Sequence, residues 1–188
     1  MIPSMGGAEI ADRLERYARD VPKDTAIVEF GAWLGAGTVP LARGAKASGA
    51  VVHCYDRWMA NAEQVEIAER FGVRLKEGES ILPHFVENVS RVEADVRPHP
   101  GDLSFISWQY GPIGLYVDDA SKSRWARAWG VFGKAFVAGV TRLVMMDFTF
   151  PSAKPQREFM ADNARMFSLE EMIQGTSVAV FRYRGRAA

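Results

Sequence analysis

Apolar positions in this chain fall into short blocks whose period switches between that of a helix and that of a strand. Ala8–Arg19 places Ile10, Leu14, Tyr17 and Ala18 on one side and charges elsewhere, which predicts an amphipathic helix ended by Val21-Pro22-Lys23-Asp24. Ala26 to Val28 with Phe30 has the length and bounding of a buried parallel strand, and Gly31, Gly35 and Gly37 follow it as a sharp turn. Val39–Ala47 predicts a short helix with Pro40 in its first turn, closed by Ser48-Gly49. Ala50–Tyr55 is a β-rich run that stops at Asp56.

Two helical patterns, Asn61–Phe71 and Ile81–Val92, flank the turn at residues 76–80, and a weak strand at Ala94–His99 leads into Pro100-Gly101-Asp102-Leu103. Ile113–Val117 reads as a central strand, Arg124–Phe136 as a helix carrying Trp125, Ala128, Trp129 and Phe132, and Arg142–Met146 as a fifth strand. Phe150–Lys154, with Pro151 inside it and Pro155 after it, reads as a loop able to gate a pocket, and Gln156–Ala164 as a helix. Met166–Ile173 and Ser177–Tyr183 read as two strands joined by a turn, although Phe167–Ile173 also fits a helix. Strands alternating with helices predict an α/β fold with a doubly wound, mostly parallel sheet.

Composition narrows the possibilities. The 188 residues fit one domain, with an N-terminal helical part at 1–25 and a core at 26–183. A hydrophobic share of 48% and a charged share of 24% are ordinary for a globular chain. A formal net charge of zero offers no global field for nucleic acid or an anionic membrane, so neither is expected as a partner. Cys54 is the only cysteine, which excludes an internal disulfide and fits a reducing cytoplasm. Residues 1–25 have no apolar signal core, and no apolar run is long enough for a membrane span.

The chemistry gathers at the strand ends. The first, second, fourth and fifth strands end at Glu29, Asp56, Asp118-Asp119 and Asp147, and the loop after the third carries Asp102. Open α/β sheets bind ligands at the carboxyl ends of their strands, and carboxylates are costly to bury without partners. Asp56 lies about twenty residues beyond the glycine turn, the spacing at which an acid takes the ribose hydroxyls of an adenosine cofactor. Trp33 stands where a dinucleotide fingerprint needs its second glycine, and neither a P-loop nor a G-x-S-x-G nucleophile elbow occurs. His53, His84 and His99 make no metal-ligand spacing; His53 is expected to be a satisfied core residue and His84 exposed.

Glu29, Gly31, Gly35, Gly37 and Thr38 spell Glu-x-Gly-x-x-x-Gly-x-Gly-Thr. This resembles the first motif of class I S-adenosylmethionine-dependent methyltransferases, and more closely the small-molecule branch that has serine in place of the last glycine. The resemblance covers about residues 26–183. It implies a Rossmann-like seven-stranded sheet of order 3-2-1-4-5-7-6 with an antiparallel C-terminal pair, S-adenosylmethionine as cofactor, and a small-molecule acceptor methylated on a hydroxyl oxygen.

By that resemblance Gly31, Ala32, Trp33, Gly35 and Thr38 wrap the methionine part, with Glu29 under the turn. Asp56 takes the ribose, Arg57 and Trp58 neighbour the adenine, and Asp102 with Leu103 meets its exocyclic amine. Asp118, beside Asp119, belongs to both the cofactor and the acceptor ends. Asp118 and Asp147 are further expected to share a divalent cation such as Mg²⁺, with Lys122 deprotonating the acceptor. Two departures bear on that metal: Phe148 replaces an asparagine ligand of the catechol-type enzymes, and Lys122 stands one place later than their lysine. No large added cap is recognisable, so a homodimer partner is one way of completing the pocket. A methyltransferase-like binding module without transfer activity remains an open alternative.

Overall fold

A computed structural model describes residue 2 and residues 7–186. Its centre is a seven-stranded sheet of order β3-β2-β1-β4-β5-β7-β6. The parallel strands are β1 (Ala26–Phe30), β2 (Val52–Asp56), β3 (Val96–Pro100), β4 (Ile113–Asp118) and β5 (Arg142–Met145). β6 (Phe167–Met172) and β7 (Ala179–Tyr183) close the sheet antiparallel. The doubly wound sheet and its strand order are as the sequence implies.

Helices cover both faces, which is why β1 and β4 are buried at every position and are apolar but for Glu29 and Asp118 near their ends. On one face α1 (Gly7–Arg19), α2 (Thr38–Ser48), α3 (Ala62–Arg70) and α4 (Leu82–Ser90) pack Leu14, Leu41, Ala68 and Phe85 against Ile27, Cys54 and Leu115. On the other, α5 (Trp125–Phe132) and α6 (Lys154–Asp162) pack Trp125, Phe132 and Met160 against Val28, Tyr116 and Leu143. Among the described residues no helix is long and apolar enough to cross a membrane.

Three segments differ from the sequence reading or resolve it. The helix expected over Arg124–Phe136 is a 3-10 turn at Lys122–Arg124 followed by α5, which stops at Gly133. A side chain at Gly133 would collide with the Trp129 carbonyl, 2.6 Å from its Cβ position, and Phe136 beyond it bridges to Ile113 instead. Phe167–Ile173 is a strand through Met172, so the helical alternative does not hold; pairing with β7 decides it. No helix joins β3 to β4, and residues 101–112 form a loop that lays Trp108 and Tyr110 over the sheet edge.

Under that loop His53 is buried, and its Nδ1 stands 2.9 Å from Nε2 of His99, with the rings stacked at 5.1 Å. His53 is thus a satisfied core residue, whereas His84 is half-buried rather than exposed. Burial first, then His99 and Arg97, push His53 down to about 4; burial and Arg97 lower His99 as well. The groups facing the pair are Arg97, ion-paired to Asp95 at 2.7 Å, together with Tyr55 and Tyr110. A histidine whose folded value lies below its unfolded value, about 6.5, costs stability as pH falls between the two. The unfolding temperature should therefore drop between about pH 6.5 and 4.5, more steeply than in the double variant His53→Phe, His99→Phe; equal slopes would refute the assignment.

Candidate functional site

The glycine turn is built between the ends of β2 and β4. The Gly31 N–H donates to the Tyr55 carbonyl at 2.8 Å, and the Asp119 N–H donates to the Phe30 carbonyl at 2.8 Å. Gly31 has φ +100°, and a Cβ there would sit 2.9 Å from the Ala120 Cβ, so both its backbone and its contact require glycine. Beyond it the chain turns through Trp33, a non-glycine residue at φ +45°. The Trp33 N–H donates to Asp56 Oδ2 at 2.9 Å, and the Trp58 N–H donates to Oδ1 at 3.0 Å. A single carboxylate therefore joins the turn after β1 to the turn after β2. From the far side, the Asn88 amide of α4 donates to the Leu34 carbonyl at 3.0 Å.

Glu29 lies beneath this turn, 4% exposed, accepting from the Thr38 hydroxyl and from Cys54 Sγ at 3.5 Å. Burial pushes it up to about 7 against the pull of those two bonds, with Asp119 and Asp56 adding to the rise. A side chain at Gly37 would place Cβ 2.5 Å from Glu29 Oε1. The second half of the motif thus makes room for the buried acid.

The adenine-side candidates are placed differently from one another. Gly101 presses on the Asp56 backbone, its Cβ position 2.5 Å from the Asp56 nitrogen. Asp102 is exposed, with Oδ1 accepting from the Ser104 N–H at 2.8 Å, and Leu103 is buried in the core beneath α5. Arg57 is exposed. Trp58 packs on Phe85 at a tilt, ring centres 4.7 Å apart, and donates its indole N–H to the His99 carbonyl at 2.8 Å, so its ring belongs to the core.

At the ends of β4 and β5 two adjacent acids face different ways. Asp118 is fully buried: Oδ1 accepts from the N–H groups of Ser121 at 2.8 Å and Ala120 at 3.2 Å, and Oδ2 from the Ser121 hydroxyl. Burial raises its proton affinity against those bonds. Asp119 turns the other way, with 32% of its side chain accessible. Lys122 reaches Asp119 Oδ1 at 3.4 Å and Asp147 Oδ2 at 2.5 Å, and the Ser177 hydroxyl donates to Asp147 Oδ1 at 3.2 Å.

Burial pushes Asp119 up to about 7; Lys122 pulls it down and Asp147 pushes it further up. Burial alone would lower Lys122, but Asp119 and Asp147 outweigh it and hold the ammonium above its usual range. Lys122 is therefore a resident cation, and the sequence expectation that it acts as base does not fit. Nor do Asp118 and Asp147 fit a shared divalent cation, because Asp118 is consumed by Ser121 and the gap beside Asp147 holds the Lys122 ammonium. No group of three His, Cys, Asp or Glu among the described residues could hold a metal ion. Phe148 packs on Phe181 with ring centres 5.3 Å apart.

The residues around the glycine turn do fit an adenosine cofactor. Asp56 is half-exposed and keeps lone pairs beyond the two N–H bonds it accepts. Trp33, next to it, has a buried indole nitrogen without a partner among the described residues. Ser177 and Asn88, which reach this site from other elements, carry no signal in the sequence that ties them to it.

No protein-family model matches the sequence, and no curated protein matches it. Solved structures do. The chain superposes on the O-methyltransferase NovP with a TM-score of 0.71 at 16% identity, covering 98% of this chain and 83% of that one. The calicheamicin methyltransferase CalS11 gives a TM-score of 0.67 at 14% identity, covering 92% and 76%. The methyltransferase PaMTH1 of Podospora anserina, solved with S-adenosylhomocysteine bound, gives 0.55 at 11% identity, covering 97% and 91%. Sheet order, strand-end acids and these neighbours agree: the chain has the fold of the class I S-adenosylmethionine-dependent methyltransferases.

Proposed function

We propose that the protein is an S-adenosylmethionine-dependent methyltransferase acting on a hydroxyl oxygen of a small molecule. The observation that carries this reading is the seating of Asp119: its N–H is bonded to the Phe30 carbonyl, its backbone carbon lies 3.2 Å from where a Cβ on Gly31 would sit, and its carboxylate shares Lys122 with Asp147. One residue thereby links the cofactor turn to the acceptor end. Bound S-adenosylmethionine supplies a methyl group on a positively charged sulfur, displaced in line by a nucleophile.

Asp56 holds the ribose diol, and the turn from Gly31 to Thr38 holds the methionine part, its backbone fixed by Asp56 and Asn88. Asp119, titrating near 7 and partly open to solvent, takes the proton of the acceptor hydroxyl as its oxygen becomes the nucleophile. Lys122 stays charged and holds the two carboxylates at a fixed spacing. NovP and CalS11, as an O-methyltransferase and a calicheamicin methyltransferase, support an oxygen acceptor of small size.

Calorimetric titration with S-adenosylmethionine and S-adenosylhomocysteine tests the cofactor. Micromolar binding, about −8 kcal/mol, is expected. Asp56→Ala should weaken it at least about tenfold, the loss of one charge-assisted contact, with Asp56→Asn intermediate because it keeps one acceptor. No binding by the unaltered protein would end the methyltransferase reading. Binding without transfer to any class of acceptor would favour a cofactor-binding module.

A further inference from the structure

Asp147 is gripped by side chains from two distant elements. Lys122, 25 residues earlier, takes Oδ2, and Ser177, 30 residues later, takes Oδ1. Ser177 lies in the turn between β6 and β7, which is closed without its hydroxyl. The Ile173 N–H bonds the Val178 carbonyl at 3.0 Å, the Thr176 hydroxyl bonds the Ile173 carbonyl at 2.8 Å, and the Val178 N–H bonds Thr176 Oγ1 at 3.1 Å. The Ser177 carbonyl in turn accepts from the Thr149 N–H at 3.4 Å. The hairpin turn therefore holds the loop after β5 at both the backbone and the carboxylate.

That loop needs holding. Asp147 sits at φ +52°, a left-handed conformation that aspartate tolerates better than most residues but that still gains from being held. Arg157 secures the downstream side by donating to the carbonyls of Phe148 at 2.5 Å and Phe150 at 2.7 Å. Neither of those bonds touches the Asp147 carboxylate, whose orientation is left to Lys122 and Ser177.

We propose that Ser177 is a positioning residue for methyl transfer: by holding Oδ1 it fixes Asp147 against Lys122 and leaves Asp119 as the carboxylate that takes the acceptor proton. This rests on the transfer reading above. Asp119 has a longer contact with the shared ammonium, 3.4 Å against 2.5 Å. Two carboxylates around one ammonium take different roles when their surroundings differ, and burial already brings Asp119 to about 7. The C-terminal hairpin thereby becomes part of the acceptor end.

The test compares Ser177→Ala with Ser177→Thr in the full chain. Aspartate is labelled with ¹³C at the carboxyl, and the Asp147 line is identified by its loss in Asp147→Asn. In Ser177→Ala the Asp147 line should move at constant pH, while S-adenosylhomocysteine affinity and unfolding temperature stay close to those of the parent. Ser177→Thr, which keeps a hydroxyl, should restore the line. With an acceptor in hand, kcat should fall about tenfold in Ser177→Ala at unchanged KM for the methyl donor, as for loss of one hydrogen bond to a charged group. An Asp147 line unmoved in Ser177→Ala, or not restored in Ser177→Thr, would overturn the proposal. Failure of the parent to bind S-adenosylhomocysteine would remove the transfer reading and leave the carboxyl lines as they are, so the two failures are separable.

Discussion

Asp119→Asn should lower the rate of methyl transfer by about 10²- to 10⁴-fold, the range for loss of a positioned base, with S-adenosylhomocysteine binding within about twofold of the parent. The asparagine keeps the shape and the backbone bond to Phe30, so the cofactor turn stays seated. What disappears is the proton acceptor. The sign of the pH dependence follows from the same group: a base must be deprotonated, so the parent's single-turnover rate should rise with pH through about 7 and level off above it. In the variant that rise should vanish. A variant that transfers methyl groups at the parental rate would place the base elsewhere, and an unchanged pH profile would show that Asp119 does not set it.

The largest effect on stability is expected at Gly44. In α2 it faces α1, and a Cβ there would lie 2.2 Å from the Glu15 carbonyl oxygen, 2.7 Å from the Ala18 Cβ and 2.8 Å from the Arg19 nitrogen. Two of these are backbone atoms, which cannot rotate away as a side-chain tip can. Gly44→Ala must lift α1 off α2 and open the packing of Leu14 and Tyr17 on the sheet. A loss of about 3 kcal/mol or more is expected, the upper end for overpacking, measured by denaturant unfolding. Gly130 in α5 is the internal control, since nothing lies within 4 Å of its Cβ position. Gly130→Ala should stabilise by up to about 1 kcal/mol, the helix-propensity difference. Equal effects at the two positions would refute the close contact between α1 and α2.

How far the sequence could be read depended on where each residue's environment is decided. β1 and β4 are buried on both faces, so they are apolar up to the acid near each end and were legible. β3 is the sheet edge, half-exposed and interrupted by Pro98, and its signal was correspondingly weak. Phe167–Met172 has no clean period because Leu169 and Glu171 flank a bulge, so pairing with β7 had to decide it. In the site, the alignment of acids at strand ends follows from chain order and was visible. Which of Asp118 and Asp119 faces outward was not, because the choice is made by Ser121 capturing Asp118. Ser177 was invisible for a different reason: its contact with Asp147 exists only once the hairpin has folded back beside β5.

The sheet order also governs how the chain can assemble during synthesis. β1 pairs with β2, which follows closely, and with β4, whose residues 113–118 are made more than eighty positions later. Until then the nascent half-sheet of β3, β2 and β1 presents the far edge of β1 as an open row of backbone donors and acceptors, the kind of edge to which other chains attach. Glu29 sits on that edge. Before burial its carboxyl has an ordinary proton affinity and carries a charge at neutral pH, which opposes pairing with a wrong strand. An acid that is costly inside the finished molecule can thus serve as a guard on the ribosome.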